Sequence, residues 1–184
     1  MVAVNSEMIP LGSPRPAVAV IDDLVVGAPA SLVMFLSNHC PYVRHIGREL
    51  GLITQRFAAK GVGCVGVMPN DVEAYPDDAP DEMVITARGY GWDFPYLFDE
   101  SQQIAIAYRA ACTPDLFLFD SAGRLAYRGQ FDAARPGNDV AVTGSDLRRA
   151  VEAVLAGGQP GADQIPSIGC SIKWRPGNAP SWAP

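Results

Sequence analysis

The chain has 184 residues, a formal net charge of −6, and a composition of 48% hydrophobic and 18% charged residues. This length fits one well-buried domain, and the abundance of apolar residues argues against extended disorder. The acidic balance argues against a nucleic-acid partner, because phosphate binding needs a basic patch.

No basic, apolar and small-residue pattern marks residues at the start of the sequence as a secretion signal, and no apolar run approaches the roughly 20 residues of a membrane span. We therefore expect a cytoplasmic protein with no membrane partner. Such a compartment is reducing, so the cysteines are better interpreted as thiols than as a permanent disulfide framework. There are four of them: Cys40, Cys64, Cys112 and Cys170.

The first predicted strand with a clear signal is a continuous apolar run near the N-terminal third of the chain. Residues 1–16 are rich in Pro, Gly and Ser and are expected to form a loose lead-in, and AVAVI at residues 17–21 is a short strand candidate. The run from Leu32 to Leu36 then predicts a strand buried on both faces, as in a parallel sheet.

An amphipathic helix is predicted directly after this strand. Pro41 suits the first helical position, where its missing N–H costs nothing. Apolar residues then recur at spacings of three and four, and Gly61 is the expected terminator. The members of this apolar stripe are Val43, Ile46, Leu50, Ile53 and Phe57.

An acidic segment separates the next two predicted elements, which are a buried strand at residues 61–68 and a helix near residues 80–90. Pro80 begins this helix and Gly91 lies beyond its end. The segment is interpreted as a solvated loop and helix start, or alternatively as a docking face for a basic partner. Its acidic residues are Asp71, Glu73, Asp77, Asp78, Asp81 and Glu82.

The remaining elements complete an alternating pattern. We predict a strand at 94–99, a short helix at 100–110, a hairpin of 115–120 with 124–129, and a terminal helix around Leu147 to Leu155. Residues 157–184 are expected to form an irregular tail. The order β-α-β-α-β-α-β-β-α indicates a single α/β domain, with helices on both faces of a central mixed sheet.

Cys40 is the leading candidate for chemistry, because it lies where the buried strand becomes the helix. The first-turn N–H groups and the positive end of the helix dipole favour an anion there, and a thiolate is the nucleophilic form of cysteine. Its attack on a disulfide gives a mixed disulfide, whereas its attack on a peroxide gives a sulfenic acid. Both routes need a second thiol. The alternative is that Cys40 is a small apolar residue at a strand end.

Four motifs in order resemble the peroxiredoxin-like redoxins of the alkyl hydroperoxide reductase/thiol-specific antioxidant (AhpC/TSA) superfamily. They are NHCPYV at 38–43, CTPD at 112–115, YRGQFDAARP at 127–136 and IGCSIKW at 168–174. The resemblance implies a thioredoxin-like three-layer α/β/α fold with a central mixed sheet. It also implies a cis peptide bond before Pro114, next to Thr113.

The chain differs from the better-known relatives around Cys40. Thioredoxins carry a second cysteine where this chain has Val43, and related sequences of this subgroup often have cysteine at Ser37. Ser37 also matches the Thr or Ser three residues before the peroxidatic cysteine of peroxiredoxins. However, Val33 replaces their motif proline, and Pro114 falls near the place of their active-site arginine.

The resolving thiol must therefore come from elsewhere in the chain. Cys112, close to Pro114, is expected on the loop that faces Cys40 and is the first candidate, and Cys170, the second, lies on a tail able to fold back over the site. Both also have the alternative of ordinary packing, whereas Cys64 in a buried strand is assigned to the core. A metal site formed by His39, Cys40 and Cys112 is a weaker alternative without supporting ligand spacing.

Neighbours of Cys40 are expected to support it. His39 could hydrogen-bond to the thiolate or simply pack, Pro41 begins the helix, and Arg44 one turn along could supply positive charge or be solvated.

The sequence thus predicts a redox protein without an organic cofactor. Its substrate would be a disulfide or a peroxide, and its reductant a thiol such as thioredoxin or a low-molecular-weight thiol. The alternative is a non-catalytic redox sensor or thioredoxin-like interaction module.

Overall fold

Strands and helices alternate through the computed structural model, which describes residues 3–184. Met1 and Val2 of the expected lead-in lie outside the described residues. The elements in chain order are β1 (Ala3–Asn5), α1 (Ala19–Val25), β2 (Ala30–Phe35), α2 (Pro41–Ala58), β3 (Gly63–Met68), a 3-10 helix (Pro76–Asp78), α3 (Pro80–Tyr90), β4 (Tyr96–Phe98), α4 (Gln103–Tyr108), β5 (Cys112–Thr113), β6 (Asp115–Asp120), β7 (Leu125–Tyr127), α5 (Ser145–Leu155) and β8 (Ile168–Ser171).

The central sheet has five strands in the order β4-β3-β2-β6-β7. β2 runs parallel to β3 and antiparallel to β6, so the sheet is mixed as predicted. Leu32 of β2 lies between Cys64 of β3 and Leu118 of β6. Every residue of β2 is buried, because helices cover both faces of the sheet.

Alternate residues of β2 face two separate apolar layers. Leu32 and Met34 pack in the layer that contains the buried stripe of α2 and the apolar face of α5. Val33 and Phe35 pack in the opposite layer, with buried residues of α1 and α4. This arrangement is the predicted three-layer α/β/α architecture, and it places the C-terminal end of β2 at the start of α2.

The predicted helices around the sheet are confirmed. All five members of the apolar stripe of α2 are buried. Gly61 follows its end with a φ of +84°. α3 begins at Pro80 and ends at Gly91, whose positive φ closes the helix with backbone hydrogen bonds. The predicted hairpin is formed by β6 and β7, with Gly123 in the turn at a φ of +68°.

The short strand expected at residues 17–21 is wrong, because this segment lies at the start of α1. Ile21 and Val25 lie one helical turn apart and are both buried. The carboxylate of Asp22 accepts a hydrogen bond of 3.1 Å from the backbone N–H of Val18, which stabilises the first turn. Burial of one helical face therefore outweighs the β-propensity of the valines.

The expected loose lead-in and irregular tail each contribute a strand to a second sheet, in the order β1-β8-β5. β8 is the central strand and pairs antiparallel with both neighbours. The tail is therefore ordered against the body of the protein, because pairing on both edges satisfies its backbone groups. No helix in the described residues is long and apolar enough to span a membrane.

Candidate active site around Cys40

Cys40 lies at the junction of β2 and α2, as predicted, and its side chain is fully buried. Within the described part of the chain, this side chain makes no capping hydrogen bond to the first-turn N–H groups of α2. Its thiol instead donates a hydrogen bond of 3.0 Å to the carbonyl oxygen of Thr113. The start of the helix therefore fixes the backbone of Cys40, and the carbonyl of Thr113 accepts the hydrogen bond from its thiol.

The Thr113-Pro114 peptide bond is cis, as the resemblance implied. Thr113 belongs to the two-residue strand β5, where it lies opposite Cys170 of β8. Residues directly opposite each other in an antiparallel pair have Cα atoms about 4.5–5.5 Å apart. The carbonyl that accepts the thiol of Cys40 is thus held next to the backbone of Cys170.

The side chains of Cys40 and Cys170 are joined by a hydrogen bond. Burial raises the pKa of Cys170, and the contact with Cys40 raises it further. Cys170 is therefore held as a thiol at neutral pH, beside Cys40. The structure thus brings the tail cysteine over the site.

Cys112 lies in β5, and its thiol donates a hydrogen bond of 3.5 Å to the carbonyl of Pro114. Burial, and then the charge of Asp115, raise the pKa of Cys112 well above its ordinary value. Cys64 lies inside β3, where burial raises its pKa to about 12. Neither of these thiols is favoured as a thiolate, and the core position predicted for Cys64 agrees with its burial.

The loop before Cys40 is anchored on Asp78, a residue that the sequence placed in a solvated acidic segment. That expectation is wrong for Asp78, which is fully buried, and for Asp71, which is 7% exposed. Ser37 donates hydrogen bonds of 3.1 Å to both carboxylate oxygens of Asp78 and accepts one of 3.2 Å from the N–H of Cys40. Ser37 therefore connects the carboxylate to the backbone of the candidate nucleophile.

His39 and Arg44 hold this loop through contacts with residues other than Cys40. Nδ1 of His39 lies 2.8 Å from a carboxylate oxygen of Asp78, and its ring stacks on that of Tyr75 with centroids 5.5 Å apart. Nε of Arg44 donates a hydrogen bond of 2.8 Å to the carbonyl of Asn38. The contacts of these two side chains therefore help to hold residues 38–40 in place.

Pro114 lines a small pocket together with residues of the YRGQFDAARP motif, including Gln130 and Arg135. Its cavity volume is about 20 Å³, which is room for about one water molecule. Across residues 3–184, no group of His, Cys, Asp and Glu side chains is arranged to hold a metal ion. This includes the alternative set of His39, Cys40 and Cys112.

Sequence reasoning missed Asp78 as a member of the site, together with its partner Asn70. Nδ2 of Asn70 donates a hydrogen bond of 2.7 Å to the carboxylate of Asp78. Both residues follow β3, whose C-terminal end lies beside that of β2 in the parallel pair. Polar residues after neighbouring parallel strands meet at one edge of the sheet, and this was the available signal.

Comparisons with known proteins bear on the family and the fold of the chain. The model of the AhpC/TSA family matches residues 17–128. An uncharacterized conserved protein from Geobacillus kaustophilus is 45% identical, with 96% of this chain and 98% of that chain covered and a TM-score of 0.88. A hypothetical protein from Sinorhizobium meliloti 1021 is also 45% identical, with 94% and 99% covered and a TM-score of 0.87.

A thioredoxin-like protein solved in its oxidized form shares the fold. It is 20% identical, with 82% of this chain and 100% of that chain covered, and its TM-score is 0.63. No curated protein matches the sequence. The fold of the chain is therefore thioredoxin-like.

Proposed function

The chain belongs to the AhpC/TSA family, and from this premise we propose that it is a thiol oxidoreductase in which Cys40 is the nucleophile and Cys170 the resolving thiol. The hydrogen bond between the two cysteine side chains carries the proposal. The family and the thioredoxin-like fold indicate thiol–disulfide redox chemistry. Cys170 supplies the second thiol that the sequence around Cys40 lacks.

The choice of Cys40 as nucleophile is supported by the surroundings of the other thiols. Burial raises the pKa of Cys64, Cys112 and Cys170, so all three are disfavoured as thiolates at neutral pH. Cys40 lies directly before an 18-residue helix, at the end where the helix dipole favours negative charge. Because the thiolate is the reactive form, the raised pKa values make the other three thiols the poorer nucleophiles.

With a disulfide substrate, the thiolate of Cys40 attacks one sulfur, and the other sulfur leaves as a thiolate that takes up a proton. Cys170 then loses its proton and attacks the Cys40 sulfur, which releases the second substrate thiol and leaves a Cys40–Cys170 disulfide. The substrate gains two electrons and the protein loses two. A reducing thiol, such as thioredoxin or a low-molecular-weight thiol, restores the dithiol.

A peroxide is the other proposed oxidant. Attack on one peroxide oxygen makes the sulfenic acid of Cys40 and releases the second oxygen as hydroxide or alkoxide. Cys170 then displaces the hydroxyl group as water and forms the same disulfide.

The experiment is oxidation of the pure protein with diamide or hydrogen peroxide, followed by intact mass measurement and peptide mapping. We expect a Cys40–Cys170 disulfide in the wild-type protein and in Cys64→Ser, the matched control. In Cys170→Ser we expect Cys40 to accumulate as a mixed disulfide when glutathione is added with diamide, or as a trapped sulfenic acid with hydrogen peroxide. A Cys40–Cys112 disulfide would refute Cys170, and a Cys40 that reacts no faster than Cys64 would refute the nucleophile.

The full burial of Cys40 favours a second candidate function, that of a redox sensor. In this function oxidation joins Cys40 to Cys170 without turnover, and a partner protein detects the changed tail. Steady-state reduction of a disulfide or peroxide with a thiol reductant separates the two functions. Many turnovers per protein support the oxidoreductase, whereas a single stoichiometric oxidation supports the sensor.

A further inference from the structure

Asp78 is a fully buried carboxylate in an acidic segment whose other members, apart from Asp71, are exposed. It ends the 3-10 helix that follows β3. Burial by itself raises the pKa of the Asp78 carboxyl, but hydrogen bonds from His39, Asn70 and the backbone of Asn38 lower it below the ordinary value. The carboxylate is therefore ionised throughout the neutral range, and its contacts show what this buried charge does.

One set of contacts holds the three residues before Cys40. Oδ1 of Asp78 accepts hydrogen bonds from the backbone N–H groups of Asn38, at 2.7 Å, and His39, at 3.3 Å. Oδ2 lies 2.8 Å from Nδ1 of His39, and the hydroxyl of Ser37 donates to both oxygens. The carboxylate of Asp78 thus fixes the conformation of residues 37–39, which directly precede Cys40.

A second set of contacts leads from the same carboxylate to the tail. Asn70 donates its Nδ2 to Asp78 at 2.7 Å, and its Oδ1 accepts the backbone N–H of Lys173 at 2.8 Å. The carbonyl of Lys173 in turn accepts the N–H of Asp71 at 2.9 Å. Lys173 lies three residues after Cys170, directly beyond β8.

We propose that Asp78 is a positioning residue that, through Asn70, holds Cys40 and Cys170 at the separation needed for their disulfide. This proposal rests on the function proposed above and adds the residues that align its two thiols. The bridge runs from the Cys40 loop through Asp78 and Asn70 to Lys173. An oxidant such as glutathione disulfide removes the two electrons and accepts the two protons when the disulfide forms.

Two titratable side chains face Asp78 from other elements. His39 faces it from the loop before α2, and Tyr96 faces it from β4, where the hydroxyl donates a hydrogen bond of 3.2 Å to Oδ1 of Asn38. The charges of Asp78 and Cys40, after burial, raise the pKa of Tyr96 well above its ordinary value. The ammonium of Lys173 lies over the ring of Tyr75 at 5.8 Å.

Asp78→Asn tests the bridge with almost no change of shape. An asparagine places an NH₂ donor where the carboxylate accepts hydrogen bonds from donors alone, so at least one contact must break. Asn70→Ala removes the tail half of the bridge and leaves Asp78 in place. Asp77→Asn makes the same chemical change on an exposed neighbouring side chain and is the matched control.

The measurement is the equilibrium constant for formation of the Cys40–Cys170 disulfide by exchange with glutathione disulfide. It is expressed as the effective concentration of one thiol at the other. We expect at least a tenfold lower value in Asp78→Asn and in Asn70→Ala, and a wild-type value in Asp77→Asn. Val25→Ala lowers stability in the opposite apolar layer and is expected to leave the value unchanged. This comparison separates positioning from a general loss of stability.

The outcomes distinguish this proposal from the function on which it rests. If the wild-type protein forms no Cys40–Cys170 disulfide, the proposed function fails and the inference fails with it. A wild-type disulfide whose effective concentration is unchanged by the bridge substitutions overturns the inference alone. Asn70→Ala decides the matter by itself if Asp78→Asn does not fold.

Discussion

Thr113 lies opposite Cys170 in the pairing of β5 with β8, and its carbonyl oxygen accepts the hydrogen bond from the thiol of Cys40. One residue therefore contacts both members of the proposed redox pair. Any change that moves the carbonyl of Thr113 also moves the acceptor of the Cys40 thiol. The neighbouring Gly169 makes this relationship testable.

Gly169→Ala should displace this carbonyl. A Cβ at Gly169 would overlap the carbonyl oxygen of Thr113 and lie 2.5 Å from its carbonyl carbon, so the β5–β8 pairing must shift. We expect a loss of about 1–3 kcal/mol in the free energy of unfolding, and a lower yield of the Cys40–Cys170 disulfide. Urea denaturation and peptide mapping measure the two effects.

Gly161→Ala is the control for this substitution. No described atom lies within 4 Å of a Cβ built at Gly161, which belongs to the same tail. We expect its free energy of unfolding to lie within about 0.5 kcal/mol of wild type. Equal stability of the two alanine variants would contradict the close packing of Gly169 against Thr113.

Cys64 should be the slow thiol in the folded protein. Burial raises its pKa to about 12, so its thiolate is scarce at pH 8. We expect iodoacetamide to modify Cys64 on the order of a hundredfold or more slowly than a free model thiol, because only the thiolate reacts. Pulse alkylation followed by peptide mass spectrometry measures the rate, and the same pulse in urea should abolish the difference.

Asp78 should contribute to acid sensitivity with a defined sign. Its pKa is lower in the folded protein than in the unfolded chain, so its stabilising effect is present above pH about 4 and is lost as the pH falls through the folded value. The free energy of unfolding of wild type should therefore exceed that of Asp78→Asn at pH 7, with a gap that narrows between pH 5 and 3.

Urea denaturation at several pH values checks this prediction, with Asp77→Asn as the control. The exposed control should show a nearly constant difference from wild type over the same range. If the difference in free energy of unfolding between wild type and Asp78→Asn widens on acidification, the pKa of Asp78 is higher in the folded protein than in the unfolded chain, which contradicts the prediction.

The buried ion pair of Arg128 and Asp115 should be costly to break. Both side chains are fully buried, and Nη2 of Arg128 lies 3.1 Å from Oδ2 of Asp115 and donates a further hydrogen bond of 2.7 Å to the carbonyl of Arg109. Burial raises the pKa of Asp115, and Arg128 opposes this rise. Arg128→Leu should lower the free energy of unfolding by about 3–5 kcal/mol, because it leaves a buried carboxylate without a cation.

The double variant Arg128→Leu/Asp115→Leu separates the pair from its packing. Replacement of both charges should recover much of the lost stability, since no unpaired charge remains. Arg149→Leu, which breaks an exposed pair with Asp146, should cost no more than about 1 kcal/mol. Urea denaturation of all three variants gives the comparison, and a double variant as unstable as Arg128→Leu would contradict this account.

The part of the site formed by local sequence was predictable. The apolar run of β2, Pro41 and the stripe of α2 together place Cys40 at a strand-to-helix junction, because each pattern reports burial of a nearby face. The same reasoning failed at Ile21, where a short valine-rich segment satisfies strand and helix patterns equally. Short elements depend on the surface that covers them, and this surface is distant in sequence.

The remaining parts of the site depend on nonlocal pairing. Asp78 resembles its exposed acidic neighbours in sequence, and it is buried where donors from the loop after β2 and from Asn70 after β3 converge on it. The sequence favoured Cys112 over Cys170 as the partner of Cys40, whereas the contact in the structure involves Cys170, since the register between β5 and β8 is encoded in no local periodicity. The contact of Cys170 with Cys40 follows from that register.

The central place of β8 in the second sheet gives the redox pair an order of appearance during synthesis. Cys40 and the strands around it leave the ribosome long before Cys170, because the chain is made from its N-terminus. Until the tail is complete, β1 and β5 lack the strand between them, and the thiol of Cys40 has neither its cover nor its partner. The nascent protein therefore carries Cys40, Cys64 and Cys112 before it carries the proposed partner of Cys40, and that partner takes its place only when the last strand pairs.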